Sequence, residues 1–331
     1  MPLVRAATGL ASAIAPERTG RRAFDLFATP PAPRDLDGFG ERVARARALL
    51  ETGRREDLPF AGEAIATWTF EPPDRAGDAP PAPTVVLVHG WTSRAAFMAA
   101  FVGPLVASGH RVVAVDLPAH GESGGRHLHL GIAVDALLAV HARTGPWRGI
   151  VAHSFGGAVA TALADGTVGG RPPVALERLA LLAAPESVPA IFAGFGRTVG
   201  LGARAQAAMD ARVDEIAGRP LGDFRGAAML GRLRLPTLVV HAPDDREVDF
   251  DEALALAAAG DFVRLERVEG AGHRRILYDP RAVDAVAAFF GDGRPGTSAQ
   301  GPADASAEAA AGTFAKASAS DPPPPSAGGT G

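Results

Sequence analysis

Short, uninterrupted apolar runs rich in β-branched residues recur through the middle of the chain. They include Val85-Val86-Leu87-Val88, Val112-Val113-Ala114-Val115, Ile150-Val151-Ala152 and Leu238-Val239-Val240. A strand covered on one face alternates apolar with polar; a run with no polar interruption predicts a strand buried on both faces of a parallel sheet. On this pattern strands are expected at 64–70, 84–89, 111–116, in the run leading to Ser154, and at 178–183 and 238–241. A last, more exposed strand is expected at 262–267. Between them the apolar residues return every three or four positions, which predicts helices at 94–108, 131–143 and 280–290. Strands alternating with helices in this way describe an α/β chain with a mostly parallel, doubly wound sheet.

The alternation fails in three places. Residues 1–62 read as an N-terminal helical arm. Its helix at 16–29 opens on Pro16, carries Phe24 and Phe27 at helical spacing and stops at Pro30-Pro31, and a second helix runs over 37–52. From about 187 to 230, inside a main domain at 63–292, the pattern is wholly helical, with Phe192, Phe195, Met209, Val213 and Ile216 among its apolar residues. A helical insertion after a strand's C-terminus lies over the end of the sheet where open α/β folds bind ligands, so this segment is expected to form a small lid. Residues 293–331 are rich in Gly, Pro, Ser and Ala, with no large apolar residue after Phe314. Such a composition cannot offset the entropy of ordering, and a disordered, dispensable tail is expected.

Composition narrows the function by exclusion. The 33 basic residues are scattered and the net charge is −4, which argues against a nucleic-acid partner. With no Cys there is no disulfide, no thiolate metal site and no cysteine nucleophile. No segment has the roughly 18 consecutive apolar residues of a membrane span, so no stable membrane insertion is expected. Residues 10–15 contain small-residue patterns like those of a leader. Their n-region holds only Arg5, and Thr8 and Gly9 interrupt the apolar run, so a cytoplasmic location is the expectation.

The chemistry centres on Gly149-Ile150-Val151-Ala152-His153-Ser154-Phe155-Gly156-Gly157. An apolar strand here runs straight into a helix through a Ser. So tight a junction strains the backbone of Ser154 and lifts its hydroxyl above the sheet. The alternative is that Ser154 is an ordinary helix N-cap. Four more motifs follow strands: His89-Gly90-Trp91, Asp116 to Ser123, His241 to Val248, and Gly272-His273. With these five in this order, residues 68–290 resemble the α/β-hydrolase superfamily, specifically its serine esterase-like members. One departure is Ala152, where that family's G-x-S-x-G motif begins with Gly.

The resemblance implies a triad. Ser154 would be the nucleophile, activated by His273 as base, with Asp245 orienting the imidazole. Asp244, the neighbour of Asp245, and Glu186, after the preceding strand, are the competing acids. The backbone N–H groups of Trp91 and Phe155 would form the oxyanion hole. His89, Gly90 and Trp91 in the oxyanion loop, with Phe192 and Phe195 from the lid, would contact substrate. His120 is expected to brace the neighbouring loop, His153 to point away from the site, and His127 and His129 to be solvated loop histidines.

No cofactor and no metal are implied. The expected reaction is hydrolysis of a small or medium apolar carboxylic ester or thioester through an acyl-enzyme. An acyltransferase or a C–C-bond hydrolase would use the same triad, and a catalytically silent ligand- or partner-binding module is the third reading. Oligomeric state stays open.

Overall fold

The computed structural model describes residues 2–31, 40–73 and 81–291; the expected tail at 293–331 lies outside them. Among the described residues eight strands form one sheet. They are β1 (Arg54–Phe60), β2 (Glu63–Phe70), β3 (Thr84–Val88), β4 (Arg111–Val115), β5 (Trp147–His153), β6 (Arg178–Leu182), β7 (Thr237–His241) and β8 (Val263–Arg267). Their order across the sheet is β1-β2-β4-β3-β5-β6-β7-β8. The β1–β2 and β2–β4 pairs are antiparallel and the remaining pairs parallel. The chain leaves β3 for β4 on one side and returns to β5 on the other. The connections therefore diverge at the C-terminal ends of β3 and β5, which opens a crevice there.

Helices cover both faces. They are α1 (Pro2–Ile14), α2 (Pro16–Phe27), α3 (Gly40–Glu51), α4 (Val102–Ala107), α5 (Leu130–Thr144), α6 (Phe155–Asp165), α7 (Val188–Val199), α8 (Ala203–Ala217), α9 (Gly226–Leu233), α10 (Phe250–Ala257), α11 (Gly272–Arg275) and α12 (Pro280–Gly291). The period of two along each strand divides the core between the faces. Val86, Val88, Val113, Val115 and Ile150 share one cluster with α5, α6 and the lid. Val85, Leu87, Val112, Ala114 and Val151 share the other with α4 and α12. Burying each such side chain is worth about 1.5–3 kcal/mol, so strands fully covered on both faces form the rigid platform beneath the crevice.

Two elements differ from the sequence reading. The arm at 1–62 is not helical throughout, because 54–60 form β1, an edge strand paired with β2. Its sequence, Arg-Arg-Glu-Asp-Leu-Pro-Phe, lacks alternation; charges and a Pro are tolerated on an edge because half of its backbone groups face water. The segment at 94–108 is a 3-10 stretch (Ala95–Phe101) before α4, not one helix. Within the lid, α9 packs on α6 of the main body, while α8 packs chiefly on α2. The first two helices thus buttress the lid.

Candidate active site

Ser154 joins β5 to α6 with φ 51° and ψ −124°. A non-glycine residue with positive φ carries strain of about 1–3 kcal/mol and persists only where its surroundings over-determine it. Here Ser154 N–H donates to Leu182 O at 2.9 Å, and Gly157 N–H to Ser154 O at 2.8 Å. Ser154 stands at the N-cap position, yet its hydroxyl caps nothing. Oγ lies instead 3.0 Å from His273 Nε2.

His273 sits on α11, just beyond β8, and is 8% exposed. Its Nδ1–H donates to Asp245 Oδ2 at 2.8 Å, which leaves Nε2 as the acceptor facing Ser154. The Asp245 side chain is inaccessible to solvent. Burial works against its ionisation, but donors from His241, His273 and the N–H groups of Val248 and Glu247 outweigh it and hold the carboxyl well below the usual carboxylate range. Asp244 does different work, accepting the N–H groups of Gly270 at 3.0 Å and Gly272 at 3.3 Å from the loop that carries His273. Glu186 faces away, paired with Arg225 at 3.2 Å.

The loops after β3 and β4 brace each other through two histidines. His89 Nε2 accepts the N–H of Leu117 at 2.9 Å, and His120 Nε2 accepts that of Thr92 at 3.0 Å. The opposite nitrogens donate to Gly90 O and Pro118 O. Both rings are therefore neutral; burial pushes His89 down to about 3. Asp116, accepting from Ala95 at 2.6 Å and Glu122 at 2.7 Å, is pushed up by burial to about 6. Gly90 is where the loop slides past the Ser. A Cβ there would lie 2.9 Å from that of Ser154 and 3.0 Å from His153 Nδ1. His89 and Gly90 thus support the site from beneath and do not line its cavity.

His153 corrects the expectation that it points away. Its Nε2–H donates to His273 O at 2.9 Å and its ring lies 4.8 Å from that of His273. Complete burial lowers it to about 3. Two buried neutral histidines set a pH dependence. Their folded values lie below the ordinary 6.5, so below pH 6.5 the unfolded chain binds protons that the native state refuses. Stability should be full above that pH and fall as acid is added. Asp116, raised from 3.8 to about 6, partly offsets the loss, but by a smaller displacement and singly. His129 and His120 are lowered by burial as well and add to the loss. Between pH 7 and 5 the net loss should therefore be at least about 2–3 kcal/mol, or roughly 4 °C or more in Tm. A Tm that stays flat over that range in a thermal melt would overturn the neutral assignment.

A cavity of about 170 Å³ opens on Ser154 and His273. Its walls come from Trp91 to Ala100, from Val43 and Ala46 of α3, and from Leu277 and Tyr278. Glu247 and Arg274 stand at its edge, paired at 2.9 Å, with Glu247 Oε2 3.9 Å from His273 Nε2. Phe192 and Phe195, expected above Ser154, do not line this cavity, and neither does Phe155. The reason is α2: Phe27 stands between them and Trp91, touching all three rings. Of the walls, α3 and Arg274 carried no signal in the sequence, since neither falls in a motif and each reaches the site only by packing. His153 and Glu247 lie in the elbow and acid-loop motifs, but nothing in those motifs marked them as walls.

Among the described residues no group of three or more His, Cys, Asp or Glu could hold a metal ion. His127 is exposed, but His129 is not a solvated loop histidine: it caps α5 through Ile132 N–H at 3.3 Å and is lowered by burial to about 4. Among the described residues no helix is long and apolar enough to cross a membrane.

No curated protein matches this sequence. Solved structures do match in fold. A thioesterase domain from the curacin biosynthetic pathway is 18% identical, with 72% of this chain and 98% of that one covered and a TM-score of 0.51. A meta-cleavage product hydrolase from Pseudomonas fluorescens is 17% identical, covering 72% and 98%, with a TM-score of 0.53. An esterase from Exiguobacterium antarcticum is 15% identical, covering 72% and 99%, with a TM-score of 0.51. At these identities the likeness is one of fold. The sequence model of the alpha/beta hydrolase family spans residues 85–289, from β3 to α12. Together with the sheet order and the strained Ser154, that match over more than half of the chain makes this protein a member of the alpha/beta hydrolase family.

Proposed function

We propose that this hydrolase cleaves small or medium apolar carboxylic esters or thioesters through an acyl-enzyme on Ser154. The observation that carries the reading is the unbroken relay from Ser154 Oγ to His273 at 3.0 Å and on to Asp245 at 2.8 Å. As Oγ attacks the acyl carbonyl, its proton passes to Nε2, and the buried Asp245 carboxylate stabilises the imidazolium. The negative charge on the carbonyl oxygen would be met by the N–H groups of Phe155 and Trp91. That of Phe155 is one of the first-turn donors of α6, which have no intrahelical partner. Nε2–H then protonates the departing alcohol or thiol, and water attacks the acyl-enzyme with His273 again as base. No cofactor takes part.

The cavity supports the acyl preference. Ala46, Ala96, Ala99, Ala100, Phe97 and Leu277 give it an apolar lining. Its volume of about 170 Å³ is below the roughly 300–1,000 Å³ of sites for drug-sized ligands. The names of the structural neighbours include an esterase and a thioesterase, consistent with acyl transfer to water. A cytoplasmic location belongs to the same proposal. The test is labelling with a fluorophosphonate, followed by a panel of acyl esters from acetyl to dodecanoyl. Covalent labelling at Ser154 with ester turnover is expected; an unlabelled, inert protein would overturn the reading.

A further inference from the structure

We propose that Phe27, on α2 outside the hydrolase sheet, backs the Trp91 wall of the acyl cavity and so limits the acyl chain length accepted at Ser154. This rests on the serine-hydrolase reading above. The Phe27 ring stacks on Trp91 at 5.8 Å and 16° between planes. Its other side meets Phe192 at 4.5 Å and Phe195 at 5.2 Å. Trp91 stands edge-on to Phe155 at 5.7 Å. These rings form a continuous partition. On one side is the cavity of about 170 Å³ that reaches Ser154, bordered by Trp91. On the other is a smaller apolar space of about 30 Å³, bordered by Phe27, Phe155, Val188, Ile191 and Phe192.

Trp91 forms the wall of the first space on this side, and Phe27 backs its ring. Without Phe27 the two spaces would face each other across Trp91, under the lid.

The Phe27 ring is held firmly. At Gly20, α2 approaches α8 so closely that a Cβ would lie 2.3 Å from Ala205 O. Arg21 clasps Glu215 of α8 through two hydrogen bonds, at 2.7 and 3.2 Å. Just beyond Phe27, Ala28 O accepts the N–H of Leu128 at 2.7 Å, and Ala28 itself is 2% exposed. Phe24, one turn earlier, is buried on the same face and anchors the helix. A side chain fixed by its own helix, the lid and the main body acts as a wall and not as a loose flap.

The experiment compares kcat/KM across p-nitrophenyl esters from acetyl to dodecanoyl for the wild type, Phe27→Ala and Phe27→Leu. The readout is the ratio of the decanoyl to the butyryl value within each protein, which is independent of overall activity. Each methylene newly accommodated should bring about fourfold in kcat/KM. Two or more of them should raise the ratio at least tenfold in Phe27→Ala, with a smaller rise in Phe27→Leu and the optimum moved by at least two carbons. If Phe27→Ala does not fold, Phe27→Leu decides. A folded variant with the wild-type profile, or with all esters reduced in proportion, would overturn the proposal. A wild type that hydrolyses esters but prefers decanoyl to butyryl would overturn it too, while sparing the triad. A wild type that a fluorophosphonate does not label would overturn the hydrolase reading and this proposal together.

Discussion

Replacing Ser154 by Ala should abolish fluorophosphonate labelling and lower kcat for any accepted ester by about 10⁴–10⁶-fold. The fold should survive, because the hydroxyl's partner at 3.0 Å is the imidazole and not the backbone of α6. The positive φ of 51° remains in the Ala variant, so Tm should move little. Ser154→Gly goes further, since removing Cβ also removes the reason that this backbone conformation is costly. It should be equally inactive yet more stable, by about 1 kcal/mol or roughly 2–4 °C. Gly in the better-folded, inert variant would identify the strain as maintained for the hydroxyl. Undiminished labelling of Ser154→Ala would remove Ser154 as nucleophile.

Asp245→Asn should cost about 10⁴ in kcat, because an amide cannot accept all of the donors that converge on this carboxylate. His273 Nδ1–H at 2.8 Å, Glu247 N–H at 2.8 Å and Val248 N–H at 3.0 Å all point at it. An NH₂ group turned towards His273 favours the tautomer with its proton on Nε2, which cannot accept from Ser154. Asp245→Asn should also lose stability, since a buried charged acceptor is removed from several donors. Asp244→Asn is the control from the adjacent position. Its carboxylate is partly exposed, accepts from Gly270 and Gly272 and stands 3.9 Å from Arg275, and kcat should fall by less than tenfold. Steady-state kinetics on both variants decide between the neighbours; a costlier Asp244→Asn would reverse the assignment.

How far the sequence reached follows from what each signal measures. The uninterrupted runs of β3, β4, β5 and β7 encode burial on both faces, a local property, and the strands lie where those runs are. The strand-to-helix junction at Ser154 is equally local, since small residues on either side permit the tight turn. The resemblance to a known family then joined the Ser, acid and His loops, which local pattern alone does not do. By contrast β1, charged and without alternation, is specified by its partner β2 and has no signature of its own.

The walls of the candidate site were the least legible part. Val43, Ala46 and Phe27 come from helices that precede the sheet, and their amphipathic pattern says only that one face is buried, not against what. Phe192 and Phe195 carried the opposite problem, since they were apolar, in the lid and suited to a substrate cleft, yet they pack on Phe27. His153 sits beside Ser154 in sequence, but its partner is the backbone of His273, 120 residues away. The sequence by itself determined the doubly buried strands, the elbow and the chemical types available, because each depends on side-chain period, turn sterics or residue identity. Which surfaces meet over Ser154 was decided only in the tertiary structure, where the close approach of α2 to α8 at Gly20 puts one aromatic ring between the lid and the cavity.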